Sequence, residues 1–239
     1  MKILSADFVT SAAPSTAPGQ AGGRADGIPA DGLGQIAVAG RSNVGKSTLL
    51  NALMRKKLAR TSAAPGKTRL ANIFRVTVDG GPGGPGRWGL YLVDLPGYGY
   101  ARGGADAAKE LAAVAASYFA SSGRGMRGAG SDSDPESRIP DPTRERGNRA
   151  TLLLIDARHP GLDLDIQAHK WLTTVAGPPQ IVATKIDKLS RSERAKNLKE
   201  LERVFGSTPL PVSAADGEGL DDLWKLIARV ARPTAPKQL

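Results

Sequence analysis

The 239-residue chain contains no cysteine, which excludes a disulfide framework, a zinc–thiolate centre and a thiol nucleophile. A reducing compartment suits such a chain, and a cytoplasmic location is expected. No apolar run nears the roughly 18 residues that a membrane span needs. The N-terminus, with Lys2 and an apolar stretch interrupted by Asp7, makes a poor signal peptide. Histidine is limited to His159 and His169, and His159, placed just after a predicted strand, is read as structural rather than catalytic. Acidic residues are missing from a whole stretch. Between Gly32 and Val78, 47 residues, there is no Asp or Glu, while Arg41, Lys46, Arg55, Lys56, Lys57, Arg60, Lys67, Arg69 and Arg75 are basic. With a net charge of +10, the balance points to polyanionic partners without saying anything of fold. Phe74 is the only aromatic in that basic stretch, so stacking on single-stranded bases is not indicated.

Glycine and proline, in contrast, are abundant: 46 of 239 residues, about 19%, against an average near 12%. The excess is local, in residues 11–34, in the GGPGGPG run at 80–86 and in residues 121–148, the last with five Arg, five acidic residues and almost no large apolar side chain. Elsewhere the proportion is ordinary. We therefore expect a flexible leader over 1–34, one domain over 35–232 with flexible inserts at 80–87 and 121–148, and a short tail over 233–239.

Within the domain, apolar runs and helical stripes alternate. Strands are expected at 35–40, 71–78, 88–93, 151–155, 180–183 and 210–212, and helices at 46–57, 106–120, 163–175, 191–205 and 219–231. The two strands flanking GGPGGPG read as an antiparallel hairpin. The remaining strand–helix alternation implies a parallel sheet covered on both faces. The expected fold class is α/β, doubly wound: six strands, mostly parallel with one antiparallel, and helices on both sides.

Four motifs fall in order at the ends of predicted strands. Gly40-Arg41-Ser42-Asn43-Val44-Gly45-Lys46-Ser47 satisfies G-x-x-x-x-G-K-[ST] between a strand and a helix, the frame in which that motif cradles phosphate on backbone N–H groups and a helix N-terminus. In such a loop Lys46 reaches the β- and γ-phosphates and the Ser47 hydroxyl ligates Mg²⁺. Asp94-Leu95-Pro96-Gly97 ends the strand at 88–93, where an acid is placed to hold Mg²⁺ and Gly97 N–H to meet the γ-phosphate. Thr184-Lys185-Ile186-Asp187 ends the strand at 180–183. One carboxylate there accepts both N1–H and the exocyclic amine of guanine, whereas adenine presents an acceptor at N1 and leaves the carboxylate unpaired. The aliphatic stem of Lys185 would lie over the base. Val212-Ser213-Ala214 ends the last strand, offering a backbone N–H to guanine O6. Together these favour GTP and GDP over adenine nucleotides. The polar loop 60–69 is placed to fold over the γ-phosphate, with Thr61, Ser62 and Thr68 as candidate ligands.

GRSNVGKST, PGKT, DLPGYGYA at 94–101, DARHP at 156–160 and TKID together resemble the EngB (YsxC) family of bacterial GTPases, within the TrmE–Era–EngA–EngB–septin class. The likeness spans roughly residues 36–120 and 149–231, and DLPGYGYA is its most specific part. The resemblance implies a Ras-like P-loop GTPase fold and makes Thr68, with its neighbours Gly66 and Lys67, the switch segment whose Thr joins Ser47 and Asp94 as a Mg²⁺ ligand. It also implies a role in assembly of the large ribosomal subunit and in normal cell division and septation. The alternative is a GTP-dependent structural protein acting directly at the septum, which the absence of coiled-coil heptads disfavours. A nucleotide kinase would need a lid and a second substrate site that the chain does not offer.

Ras-like enzymes orient the attacking water with a Gln after D-x-x-G. Here that position is Tyr98, which has no amide and cannot act as a base at neutral pH, so slow intrinsic hydrolysis is expected. Asn43 admits two readings: a side chain that helps hold K⁺ beside the phosphates, doing the charge-stabilising work of an arginine finger, or a residue that merely tolerates the loop's backbone angles. The basic stretch around the switch loop suits docking on ribosomal RNA backbone. The protein is expected to act as a monomer.

Overall fold

The computed structural model describes residues 1–12, 27–29, 31–59, 70–80, 86–99, 112–119 and 149–231. In chain order the elements are β1 (Lys2–Ala12), β2 (Gly34–Gly40), α1 (Lys46–Met54), β3 (Ala71–Asp79), β4 (Arg87–Asp94), α2 (112–119), β5 (Arg149–Asp156), α3 (Asp163–Ala176), β6 (Gln180–Thr184), a single 3₁₀ turn (Ile186–Lys188), α4 (Arg191–Phe205), β7 (Leu210–Val212) and α5 (Leu220–Ala231). The strands form one sheet in the order β1-β3-β4-β2-β5-β6-β7. Among the described residues β3 alone is reversed, running against both β1 and β4.

Alternation within the central strands divides the core. Ile36 and Val38 of β2, with Leu152 and Leu154 of β5, pack with Leu49, Leu50 and Leu53 of α1 and Leu223, Trp224 and Ile227 of α5. Their neighbours Ala37, Ala39, Leu153 and Ile155 face the other way, onto Tyr118 of α2, Leu172 of α3 and Leu201 and Phe205 of α4. A strand buried on both faces reads as a continuous apolar run, and all seven residues of β2 are buried. The sheet is thus doubly wound, as expected.

The strand count is corrected from six to seven. Residues 2–12 are a strand, not part of a flexible leader: β1 pairs along the whole of β3, with Asp7 opposite Arg75 and Phe8 opposite Phe74. The Gly/Pro excess that suggested disorder begins only at Pro14. Ahead of it, Ala6 and Ala12 are buried and the Phe8 ring meets the Phe74 ring edge-on at 5.9 Å. Register shifts at Ile3/Ser5 and Phe8/Thr10 break the period-2 pattern that would have marked the strand. Helix α1 is also shorter than expected, because Arg55 adopts a left-handed conformation (φ 52°) and closes it. The expected switch segment, most of the GGPGGPG insert, the 121–148 insert and the tail lie outside the described residues.

Parallel strands running the same way put Gly40, Asp94, Asp156, Thr184 and Val212 at one edge of the sheet. The chain leaves β2 for β3 and β4 on one side and proceeds through β5, β6 and β7 on the other. A crevice at such a switch point, beyond the carboxyl ends of the strands, is where doubly wound sheets bind ligands.

Candidate nucleotide site

The loop from Gly40 to Ser47 joins β2 to α1 and curls through residues with unusual backbone angles. A side chain at Gly40 would come within 2.8 Å of Val44 Cγ1 and 2.9 Å of the Leu154 carbonyl, so the loop can leave the sheet here only on glycine. Asn43 stands at φ 64° and Gly45 at φ 107°. Asn is the side chain that tolerates the left-handed region best after glycine, so the conformational reading of Asn43 accounts for its presence. Val44 N–H donates to the Arg41 carbonyl at 3.2 Å, and α1 begins with Leu49 N–H on the Gly45 carbonyl at 2.9 Å.

Lys46 reaches back over its own loop, its Nζ donating to the carbonyls of Gly40 at 3.0 Å and Arg41 at 3.1 Å. Burial lowers its pKa, an effect that the charge of Asp94 opposes. Asp94, at the end of β4, is itself buried, and that burial pushes its carboxyl up to about 6 despite Lys46. Its Oδ1 is buried and, among the described residues, finds no hydrogen-bond partner. A buried carboxylate oxygen without a donor is costly, and a hard cation is the partner this donor chemistry fits. Ser47, half-buried at the first turn of α1, is the other described member of the expected Mg²⁺ set. Thr68, with Gly66 and Lys67, lies outside the described residues.

Beyond Asp94, Leu95 N–H donates to the Val38 carbonyl at 3.1 Å and Leu95 is buried, while Pro96 leads into Gly97. A side chain at position 97 would come to 2.7 Å from Lys46 Nζ and 3.1 Å from Ser42 Cα, so the segment crosses the loop at close quarters. Tyr98 donates its hydroxyl to Asp165 Oδ1 at 2.8 Å. Burial, then the Asp165 charge, pushes the phenol up, so it stays protonated.

The base-recognition motifs converge from β6 and β7. Thr184 donates its hydroxyl to the carbonyls of Val44 at 2.8 Å and Ile155 at 3.1 Å, tying β6 to the phosphate loop. Lys185, at φ 60°, passes over Gly45 and donates Nζ to the Asn43 carbonyl at 2.6 Å and to Asp156 Oδ2 at 3.0 Å. Ile186 is buried, leaving Asp187 at the rim. Ser213, fully buried after Val212, donates its hydroxyl to Asp187 Oδ1 at 2.9 Å and accepts from Ala215 N–H at 3.3 Å and Asp216 N–H at 3.4 Å. Lys188 flanks the other oxygen of Asp187 at 3.1 Å. Burial tends to raise the Asp187 carboxyl, but Lys188 and Ser213 outweigh it and hold it below the usual range. Ala214 follows at the mouth, half-buried.

Two acids emerge that motif reading did not single out. Asp156, at the end of β5, accepts Arg158 through both oxygens at 2.9 and 2.8 Å as well as Lys185. Burial would raise it, but these hydrogen bonds prevail and hold it at about 2. DARHP marked its segment without a role. Asp165, in the first turn of α3, carried no signal at all. The structure also alters the basic surface. Arg41 is not free toward the switch loop but donates Nε to Asp165 at 3.1 and 3.2 Å. Lys56 donates to the Ala6 carbonyl at 2.8 Å and lies 3.4 Å from Asp7.

This order of motifs on a doubly wound sheet is that of a P-loop GTPase. The family described as "50S ribosome-binding GTPase" matches residues 35–185. "Probable GTP-binding protein EngB" of Pelotomaculum thermopropionicum is 39% identical over 96% of this chain and 96% of its own, and that of Solibacter usitatus 36% identical over 95% and 96%. The chain belongs to the EngB family of GTPases. Among solved structures, one titled as a probable GTP-binding protein EngB superposes with a TM-score of 0.54 at 21% identity, over 83% of this chain and 98% of that one. Era with MgGDPNP and a segment of 16S ribosomal RNA superposes with a TM-score of 0.62 at 22% identity, covering 86% of this chain and 59% of Era. At these identities the structural likeness speaks for the fold. Among the described residues no helix is long and apolar enough to cross a membrane.

Proposed function

We propose that this GTPase is a cytoplasmic, monomeric switch that binds GTP and GDP, acts in assembly of the large ribosomal subunit by touching rRNA backbone, and is needed for normal division and septation. What supports the ribosomal reading is the match to a family described as ribosome-binding, together with the exposed cations Arg55, Lys56 and Lys57 where α1 ends. In this reading the backbone of Gly40–Ser47 cradles the phosphates, Lys46 and Gly97 N–H meet the γ-phosphate, and Asp187 takes the two guanine donors. Val212, Ser213 and Ala214 frame guanine O6, with Lys185 as the platform beneath the base.

Ser47, Asp94 and Thr68 would hold Mg²⁺, an assignment that the unpartnered Asp94 oxygen supports. When bound, Mg²⁺ neutralises charge on the β- and γ-phosphates. Lys46 adds its own charge there, Asn43 keeps the loop's left-handed turn, and Tyr98 takes no proton. Hydrolysis unaided by a partner is therefore slow.

Co-sedimentation with large ribosomal subunits, in GDP and in a non-hydrolysable GTP analogue across a salt series, tests the partner. Tighter binding in the GTP-like state, weakening with salt, is expected. Equal or absent binding in both states would remove the ribosomal role and turn attention to the septum.

A further inference from the structure

Asp165 is completely buried, and its partners come from the two loops that meet over Lys46. Arg41, the second residue of the phosphate loop, donates Nε to both of its oxygens, and Tyr98, the residue after D-x-x-G, donates its hydroxyl to Oδ1. The backbones of those loops are joined as well. Ser42 N–H donates to the Tyr98 carbonyl at 2.9 Å, Ser42 Oγ lies 3.4 Å from the Gly97 carbonyl, and Arg41 and Tyr98 form an isolated parallel bridge. Gly97 is consequently held so close that a side chain there would come to 2.7 Å from Lys46 Nζ and 3.1 Å from Ser42 Cα. Remove the carboxylate and a guanidinium and a phenol both lose their acceptor in a part-buried site, a loss that favours release of the segment.

We propose that Asp165 is a positioning residue for the GTP state: it fixes Tyr98 and Arg41 together and so holds the N–H of Gly97 where a terminal phosphate is met. The proposal rests on the reading of Lys46 and Gly97 as γ-phosphate contacts. GDP has no group at that place, so the effect of losing the anchor falls on GTP. It acts on ground-state affinity and on hydrolysis together, because the same segment stands beside the reacting phosphate.

The test uses the full chain as wild type, Tyr98→Phe, Asp165→Asn and the double variant. Dissociation constants for fluorescent GDP and a fluorescent non-hydrolysable GTP analogue are measured, along with single-turnover hydrolysis. Each single variant is expected to keep its GDP affinity within about twofold and to weaken the GTP analogue about tenfold, the loss of roughly one hydrogen bond to a charged group. The double variant is expected to be no worse than the poorer single one, since both act through one contact. A structural role alone would lower both affinities together, and that result, or an unchanged ratio, overturns the proposal. Should Asp165→Asn fail to fold, Tyr98→Phe keeps the ring and decides the question alone. Lys46→Ala separates the underlying reading. If it too leaves GTP-analogue affinity unchanged, the γ-phosphate assignment has failed, and the proposal with it. If it impairs binding while Tyr98→Phe does not, only the anchor has failed.

Discussion

At the scale of single residues, the site is held by polar groups with more than one partner, and the consequences of changing them differ accordingly. Asp187 is gripped by Ser213 and Lys188, which leaves its carboxylate ionised and oriented before any ligand arrives. Asp187→Asn replaces one acceptor by a misplaced donor. Guanine nucleotide affinity is expected to fall ten- to hundredfold, the range of a lost charged hydrogen bond; isothermal titration with GDP checks this, and an unchanged affinity would discard the base assignment. Asp156 makes a prediction about pH. Its folded pKa of about 2 lies below the ordinary carboxylate value, so the stability it contributes is fully present above about pH 4 and is lost as pH falls toward 2. Linkage puts that contribution at about 2 kcal/mol. Urea unfolding of wild type and Asp156→Asn between pH 2 and 5 should give a shallower acid decline in the variant, and parallel curves would show that the Arg158 and Lys185 bonds contribute nothing net.

At the scale of elements, the sequence made legible what obeys a local pattern. QIAVAG announced a buried strand because β2 is buried on both faces, and G-x-x-x-x-G-K-S announced the turn that follows because Gly40 answers to a close approach and Gly45 to a backbone angle of φ 107°. Asp94, Asp187 and Ser213 were found because each closes a strand at the same edge of the sheet. Missing from that reading were β1, whose two register shifts hide its alternation, and Asp165, one of two acids in the first turn of α3, whose partners are 124 and 67 residues away. Spacing carries no trace of contacts that the fold alone creates. Strand β1 also has a testable consequence. It covers one edge of β3 and is itself an edge strand with Phe8 and Val9 exposed. Deleting residues 1–12 should lower the melting temperature and leave β3 as a bare, apolar edge that self-associates. Light scattering and calorimetry of the truncated chain decide it, a monomer of unchanged stability being the contrary result.

At the scale of the whole molecule, the chain carries +10 net charge, but the fold removes part of it from the surface that was expected to meet RNA. Arg41 is drawn inward to Asp165, and Lys56 is partly engaged by Asp7 and the Ala6 carbonyl. Arg55 and Lys57, exposed where α1 ends, are the described cations of that stretch best placed for phosphate, and α1 begins at the nucleotide site. Each phosphate contact releases condensed counterions, so its removal lowers the salt dependence of binding by close to one in the logarithmic slope. The charge-reversed pair Arg55→Glu/Lys57→Glu is therefore expected to bind large ribosomal subunits more weakly at low salt and with a slope smaller by about two. Its affinity for GDP should stay at the wild-type value, since neither side chain belongs to the proposed nucleotide site. A slope that does not change would place the RNA-facing surface elsewhere on the molecule, and a loss of GDP affinity would mean that the end of α1 and the phosphate loop at its start are coupled through the helix.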